Sequence, residues 1–178
     1  MKIGIIVAMD KEFELLQGIQ LPQHEIFLVK SGIGKVNAAI ATINLLNEHH
    51  PDLVINSGVA GGIDTCLNVA DLVIGSQTCY HDFYAGDVSD HLKELGFEKF
   101  IQADVYALQV AKQVAGSRTD VKFGLGCTGD QFITTPAELF QIKEKYPEAL
   151  FVDMESNAIA HVCAKKQVPF ISLRIISD

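Results

Sequence analysis

The sequence predicts a single-domain α/β fold around a largely parallel β-sheet. Short runs that are almost wholly apolar, such as residues 2–8, are typical of strands covered on both faces. Between these runs apolar residues recur at helical spacing, so strands and helices alternate along most of the chain. The 178 residues are 48% hydrophobic and 20% charged, and no linker or repeat divides them, which favours one domain over residues 1–178.

The first part of the chain begins with a predicted strand, KIGIIVA, followed by a helix from Asp10 to about Gln17. A second strand, EIFLVKS, ends in the glycines of SGIG. The next segment is predicted to be a helix, and its apolar face is formed by Val36, Ala39, Ile40, Ile43 and Leu46. DLVINSGVAGG is interpreted as a strand that runs into a glycine-rich turn, and VADLVIGSQTCY as another strand.

The middle of the chain contains a polar segment, residues 82–96, that we interpret as a loop. ADVYALQVAKQVA follows as a helix with one apolar face, formed by Val105, Leu108, Ala111 and Val114. VKFGLGCTGD is a predicted strand. Thr135 and Pro136 are suited to the N-cap and the first position of the next helix, since a threonine hydroxyl can accept from the backbone and proline needs no donor there.

The last part of the chain is predicted to form a strand, ALFVD, a helix, ESNAIAHVCAKK, and a final strand, PFISLRIIS. Asp153 and Glu155 stand where this strand meets this helix. Both acids can be explained as capping residues that face the positive end of the helix dipole.

Composition argues against several classes of function. A net charge of −8 and a pI near 5.1 disfavour binding to nucleic acid or to acidic membranes, because both need a basic surface. No apolar stretch is long enough to span a bilayer, and the N-terminus is typical of a strand rather than a signal peptide. The cysteines show no C-x-x-C pairing, which favours reduced thiols in a cytoplasmic protein.

Two glycine-rich segments do not match common phosphate-binding motifs. SGIGK lacks the spacing of a P-loop, and GVAGG lacks that of a dinucleotide fingerprint. GVAGG is better explained as a place where backbone approaches something closely. The segment with His81, Asp82, Asp87, Asp90 and His91 matches no common metal site, so we expect a solvated loop, no metal and no cofactor.

Several acids are predicted to meet at one edge of the sheet, where ligands of α/β proteins usually bind. Glu12, Asp130, Asp153, Glu155 and Asp178 all lie at or just past the ends of predicted strands. Two carboxyl groups on opposite sides of a glycosidic bond can protonate the leaving group and activate water. Capping alone does not explain so many acids at one edge.

Six motifs occur here in the order found in one enzyme family: GIIVAMDKE, SGIGKVNAA, NSGVAGG, GDQFI, VDMESNAIAHVC and RIISD. From Met1 to Asp178 the chain closely resembles the 5′-methylthioadenosine/S-adenosylhomocysteine nucleosidases, within the nucleoside phosphorylase superfamily. The resemblance implies a three-layer sandwich around a mixed, mostly parallel central sheet. It also implies hydrolysis of the N-glycosidic bond of a 5′-thio-substituted adenosine, with release of adenine, in methionine salvage.

The resemblance assigns two catalytic residues. Glu12 is expected to be the general base that activates water, and Asp178 the general acid for the purine, supported by Ser177. Glu155 is expected to hold the ribose hydroxyls through charge-assisted hydrogen bonds. Asp153 is expected to be mainly structural, at a position where many relatives carry Glu.

The resemblance also assigns the substrate-binding residues, which are Met9, Phe132, Ile133, Met154, Glu155, Arg174 and Ser177. Phe132 is expected to stack on adenine, although an apolar residue in a turn is more often a core plug. Ile133 is expected to contact the adenine edge through backbone groups. Met9 and Arg174 are expected to lie near the ribose and the water.

The sequence departs from the family at three places. The stretch from Gln17 to Glu25 is shorter than the family's usual one, which carries a hairpin. Val59 stands in SGVAGG where relatives usually carry a small or hydroxyl residue, and the sequence stops at Asp178, where the family continues into a loop and a helix. From these departures we expect a frayed end and poor turnover. The family also implies a homodimer, with Phe83 and Tyr84 supplying apolar contacts.

Three other functions remain compatible with the sequence. A purine or uridine nucleoside phosphorylase needs an anion site, whereas VAMDKE places acids after the first strand. A nucleosidase for a 6-aminofutalosine-type substrate is a closer alternative. A non-catalytic nucleoside-binding protein on the same scaffold is the third.

Overall fold

The computed structural model describes residues 1–85, 94 and 96–178, which form eight strands and five helices. The strands are β1 (Lys2–Val7), β2 (Glu25–Lys30), β3 (Leu53–Gly62), β4 (Leu72–Tyr80), β5 (Ile101–Gln102), β6 (Val121–Thr128), β7 (Ala149–Asp153) and β8 (Phe170–Ile176). The helices are α1 (Asp10–Leu16), α2 (Lys35–His49), α3 (Val105–Ala115), α4 (Pro136–Lys145) and α5 (Ser156–Lys166). This alternation confirms the predicted α/β class. Asp87, Asp90 and His91 of the predicted polar loop lie outside the described residues.

The described strands form one mixed sheet. β1 pairs in parallel with β2 and β3, and β3 pairs in parallel with β8. β4, β6 and β7 form a second parallel group, which antiparallel pairs β4–β8 and β3–β7 join to the first. Since β3 pairs with β8 along most of its length and with β7 at its end, the strands β3, β8, β4, β6 and β7 close into a ring. The ends of β3, β7 and β8 are thereby brought together.

Helices cover both faces of this sheet. On one face α2 and α5 pack against a core that includes Ile6, Val54 and Phe170. On the other face, α1 packs over Ile5 of β1 and α3 over Ile171 of β8. Neighbouring residues of one strand, such as Ile5 and Ile6, therefore pack on opposite faces of the sheet, because side chains alternate along a strand. The arrangement confirms the helix–sheet–helix layers.

The apolar face predicted for α2 is only partly correct, since Leu46 is buried as predicted. Val36 and Ile40 are exposed, and the helix buries Ala38, Thr42 and Leu45 instead. These buried residues follow helical spacing, and the Thr42 hydroxyl donates to the Ala38 carbonyl oxygen at 2.7 Å, so it carries no unpaired donor into the core. Hydrophobicity alone ranks valine and isoleucine above alanine and threonine, and it therefore selects the wrong side.

The apolar face predicted for α3 is only half buried. Leu108 and Ala111 pack against the sheet, whereas Val105 and Val114 are 79% and 78% exposed. An apolar groove of about 640 Å³ lies between α3 and strands β1, β3, β4 and β8, and Val114 lines it. Within the described ranges, no helix is both long and apolar enough to cross a membrane.

The glycine-rich turn predicted after the third strand is also wrong. β3 continues through the glycines to Gly62, where it pairs with Phe151 of β7. Small residues in this stretch let neighbouring side chains approach the backbone, as Ile176 does at Gly62. The glycines therefore serve close packing within the strand.

Candidate active site

A cavity of about 120 Å³ lies at the end of the sheet where β1, β7 and β8 finish and β3 passes. It brings together eight predicted site residues, namely Met9, Glu12, Phe132, Ile133, Met154, Glu155, Ser177 and Asp178. Arg174, the remaining predicted residue, is buried beneath the cavity floor. The sequence prediction therefore identifies residues that the fold gathers at one place.

Glu12 lies in the first turn of α1, and backbone donors fix its carboxylate. Its Oε2 accepts from the N–H groups of Ala8 and Met9, both at 2.9 Å. Its Oε1 accepts from the N–H of Val59 on β3, also at 2.9 Å. The bond from Met9 is the reciprocal half of a capping box, so local helix chemistry and contact with β3 position this acid together.

Gly58 allows Glu12 and Arg174 to lie against the backbone of β3. A Cβ at this position would be 2.7 Å from Arg174 Nη1 and closer still to Glu12 Oε1. Its φ of 153° also favours glycine. The sequence predicted a close backbone approach in this segment, and the groups that approach Gly58 are side chains of the site.

Glu155 is the N-cap residue of α5, yet its side chain makes no capping bond. Its Oε1 accepts from the Gly34 N–H at 2.9 Å. Burial raises the pKa of Glu155 above its usual value, and the charges of Asp153 and Glu12 act in the same direction. Arg174 and the Gly34 N–H oppose that rise in pKa. Glu155 therefore binds its proton more tightly than an exposed glutamate.

Arg174 and Asp153 form a buried ion pair at the cavity, which Asp153 lines. Arg174 Nη2 donates to Asp153 Oδ2 at 2.5 Å, and their side chains are only 1% and 2% exposed. Arg174 Nη2 lies 3.6 Å from Glu155 Oε2. Asp153 also accepts from the Ser156 N–H at 3.2 Å, but the N-cap position predicted for it is held by Glu155. The ion pair with Arg174 is a feature that sequence reasoning missed.

Ser177 and Asp178, which follow β8, also line the cavity. The Ser177 hydroxyl donates to Asp178 Oδ1 at 2.6 Å, in agreement with the supporting role expected of it. The Ser177 N–H donates to the Ala60 carbonyl oxygen, and the Asp178 carbonyl oxygen accepts from the Gly62 N–H, both at 3.0 Å. Both residues are thus paired with β3, and the frayed end expected from the sequence is not observed.

The loop after β6 carries Phe132, which is 76% exposed at the cavity edge and is therefore no core plug. Ile133 packs against the core beneath this loop. The loop ends at the N-cap Thr135, whose hydroxyl accepts from the Glu138 N–H at 3.3 Å, which confirms the predicted start of α4. A rigid helix start therefore anchors an exposed aromatic ring at the cavity edge.

Lys35 ties this loop to the start of α2. Its N–H donates to Asp130 Oδ1 at 2.8 Å, and its Nζ donates to Asp82 Oδ2 at 2.7 Å. The Asp130 N–H donates to the same Asp82 oxygen at 2.9 Å. Asp130 and Asp82 are thus engaged in holding loops together.

The geometry separates the acids by environment. Glu12 accepts from three backbone N–H groups, Glu155 keeps one oxygen without a hydrogen bond among the described residues, and Asp178 is exposed at the cavity wall. Such a site can bind a polyol with one carboxylate while two others handle a proton and a water molecule. Its apolar walls and the exposed Phe132 ring suit a planar aromatic group.

Comparison with known proteins identifies the superfamily and similar enzymes. Residues 11–178 match the family model of the phosphorylase superfamily. Over 204 aligned positions the chain is 39% identical to the 5′-methylthioadenosine/S-adenosylhomocysteine nucleosidase of Actinobacillus succinogenes, and the match covers 100% of this chain and 86% of that protein.

Solved structures agree with this match. S-adenosylhomocysteine nucleosidase from Streptococcus pyogenes, in complex with 5-methylthiotubericidin, superposes with a TM-score of 0.87 and 31% identity, covering 100% of this chain and 84% of that one. The 5′-methylthioadenosine/S-adenosylhomocysteine nucleosidase from Colwellia psychrerythraea, in complex with adenine, gives the same TM-score of 0.87 and 31% identity, covering 100% and 82%. The chain belongs to the 5′-methylthioadenosine/S-adenosylhomocysteine nucleosidase family of the phosphorylase superfamily.

Proposed function

We propose that the protein hydrolyses the N-glycosidic bond of 5′-methylthioadenosine and S-adenosylhomocysteine, releasing adenine and a thio-substituted ribose. The observation that carries this proposal is the meeting of Glu12, Glu155 and Asp178 in one cavity with the exposed Phe132 ring at its edge. Family membership supports it, since the relatives and the solved structures bear the same activity in their names.

In the proposed reaction, Glu12 takes a proton from a water molecule whose oxygen attacks C1′ of the ribose. The bond between C1′ and the purine nitrogen breaks, and Asp178 gives a proton to a ring nitrogen of the departing adenine. Charge develops on the sugar as this bond lengthens, and the nearby carboxylates of Glu12 and Glu155 stabilise that cationic sugar.

Binding is assigned to the remaining residues of the site. Glu155 accepts hydrogen bonds from the vicinal ribose hydroxyls through Oε2, the oxygen that has no hydrogen bond among the described residues. Met154 packs beside the ribose. Phe132 stacks on adenine, which suits its exposed position at the rim. Met9 borders the ribose and water, and Ile133 offers backbone groups to the purine edge.

Hydrolysis is favoured over phosphorolysis by the charges around the attacking position. The carboxylate of Glu12 lies there, and a phosphate dianion would be repelled by it. The guanidinium of Arg174 is already paired with Asp153. Val59 adds an exposed apolar side chain to the same wall, without a hydroxyl to bind an anion.

An adenine-release assay tests the proposed function. Purified protein is offered methylthioadenosine, S-adenosylhomocysteine, 6-aminofutalosine and inosine, each with and without phosphate. Release of adenine from the first two without phosphate supports the proposal. Turnover that requires phosphate supports a phosphorylase, a preference for 6-aminofutalosine supports the other nucleosidase, and binding of adenine without turnover supports a non-catalytic protein.

We further propose that the chain forms a homodimer in the cytoplasm and acts in methionine salvage. Exposed apolar residues support the dimer, namely Val36, Ile40 and Ile43 on α2 together with Phe83 and Tyr84 after β4. The four cysteines are all free thiols, which suits a reducing compartment. Methylthioadenosine still carries the methylthio group derived from methionine, so its cleavage is the step that begins recovery of that group.

A further inference from the structure

Asp153 has more partners than a helix cap needs. Its Oδ1 accepts from the Thr128 hydroxyl at 2.6 Å, and its Oδ2 accepts from Arg174 Nη2 at 2.5 Å. The hydroxyl and the N–H of Ser156 also donate to Oδ2. Only the bond from the Ser156 N–H belongs to capping, so most of this buried network has another role.

Arg174 lies between two carboxylates and is hydrogen-bonded to one of them. Its Nη2 donates to Asp153 and also to Asn56 Oδ1 at 2.6 Å. The same nitrogen is 3.6 Å from Glu155 Oε2, which is within ion-pair range but beyond a good hydrogen bond. A shift of well under 1 Å would therefore transfer the guanidinium to Glu155.

Glu155 needs one carboxylate oxygen that can still accept hydrogen bonds if it is to bind a ribose. Oε1 already accepts from the Gly34 N–H, and within the described ranges Oε2 has no hydrogen bond. In the part of the chain that the structure describes, the charged side chains with the largest effect on the pKa of Glu155 are Arg174, Asp153 and Glu12. Of these, only Arg174 can donate to Oε2 and so compete with the hydroxyls of a sugar.

We propose that Asp153 is a positioning residue for ribose recognition, because it holds the Arg174 guanidinium on its own carboxylate and leaves Glu155 Oε2 open to the vicinal hydroxyls. This inference rests on the proposed function, since it concerns how that site takes a nucleoside. Removal of the negative charge at Asp153 leaves Glu155 as the nearest carboxylate for the guanidinium. Arg174 then occupies the oxygen that the ribose requires.

The test compares Asp153→Asn with a matched control, Asp104→Asn. Asp104 is the N-cap of α3 and accepts from the Ala107 N–H at 2.8 Å, so the control also converts a capping aspartate to asparagine. It changes no group of the cavity. Asparagine can still accept from a backbone N–H, but both variants lose a negative charge at a helix N-terminus, so a lower melting temperature is expected for both.

The two variants should differ in kinetics. For Asp153→Asn we expect KM for methylthioadenosine to rise by about tenfold or more with a smaller change in kcat, whereas Asp104→Asn should stay within about twofold of the parent for both constants. Ser156→Ala removes a hydroxyl that bonds both Asp153 and Arg174 without changing charge, and its KM should lie between those of the parent and Asp153→Asn. The Ser156→Ala variant tests the inference if Asp153→Asn does not fold.

A crystal structure of Asp153→Asn without ligand gives a readout that does not depend on activity. We expect a direct hydrogen bond between Arg174 and Glu155 in place of the present 3.6 Å separation. An unchanged separation together with unchanged KM in every folded variant would overturn the inference. If the parent releases no adenine, the proposed function fails, while this structure still decides the role of Asp153.

Discussion

Glu12 illustrates how one side chain satisfies both folding and chemistry. It closes the first turn of α1 and also accepts from Val59 of β3, so the carboxylate is held rigidly at the cavity wall. Glu12→Gln replaces one acceptor oxygen by an amide that faces backbone N–H groups, and it cannot take a proton from water. We expect kcat to fall by at least about 100-fold, which is about 2.7 kcal/mol of barrier.

The measurement is steady-state release of adenine, with adenine binding and the melting temperature of the variant as controls for intact folding. Activity within about tenfold of the parent, or about 1.4 kcal/mol, would remove Glu12 from the role of base.

Gly58 is the second residue on which the site depends. Gly58→Ala places a methyl group at 2.7 Å from Arg174 Nη1 and nearer still to Glu12, so one of these buried groups must shift. We expect both a lower melting temperature and a loss of kcat of about tenfold or more, because the base and its surroundings move together. Gly18→Ala, where no atom lies within 4 Å of the added carbon, is the control for strain from a positive φ alone. Equal kinetics in the two variants would contradict this account.

The buried carboxylate of Glu155 is expected to lower the stability of the fold while it strengthens nucleoside binding. Because its folded-state pKa is raised by burial, its favourable contribution is present below the unfolded-state pKa and is lost as pH rises through the folded-state pKa. At neutral and alkaline pH the buried carboxylate therefore lowers stability, and Glu155→Gln should raise the melting temperature there while it weakens nucleoside binding.

Thermal melts of parent and Glu155→Gln across pH check this prediction. The gain in melting temperature should shrink as the solution is acidified, since the parent then carries a protonated Glu155. A variant that is less stable than the parent at alkaline pH would show that the carboxylate is well compensated.

At the scale of residues, the sequence indicated which side chains gather in the cavity but not what holds them. Glu12, Glu155 and Asp178 could be predicted because each follows an apolar strand in a recognisable motif. Their partners are mostly backbone N–H groups, as at Gly34 and Val59. Because every residue except proline has such a group, the sequence does not show which of them will donate. The Asp153–Arg174 pair joins two strands and depends on their register.

At the scale of elements, α2 shows where pattern reasoning fails. Its buried side consists of Ala38, Thr42, Leu45 and Leu46, and these smaller or paired residues let the helix lie close to the sheet. Leu45 packs directly over Gly4 of β1, where any Cβ would collide with it. Val36, Ile40 and Ile43 of α2 face outward, and we expect a partner surface to cover this apolar stripe.

This stripe predicts self-association through α2. Val36→Lys combined with Ile40→Glu should convert a dimer to a monomer, because charged side chains at an apolar interface must be desolvated on pairing. Sedimentation velocity at micromolar concentration is the measurement. Leu15→Glu on α1, where leucine is 85% exposed, is the matched control and should leave the dimer intact. A parent that is itself monomeric at that concentration would contradict the prediction.

At the scale of the whole molecule, the sheet explains why distant segments form one site. Alternating strands and helices predicted a largely parallel sheet, and that much was readable from the sequence. The antiparallel pairs β3–β7 and β4–β8 were not, because they join strands far apart in the chain and depend on register. Those pairs close the ring that brings Asp178 and Glu155 into one cavity.

In the proposed reaction, water bound in this cavity cleaves the glycosidic bond of methylthioadenosine. Reaction in ¹⁸O-labelled water, with and without phosphate, followed by mass spectrometry of the sugar product, tests it most directly. We predict free adenine and a methylthioribose that carries one ¹⁸O atom at C1, in equal yield with or without phosphate, once exchange of the free sugar is controlled with unlabelled product. A methylthioribose 1-phosphate that forms only when phosphate is present, or no adenine at all, would contradict the account.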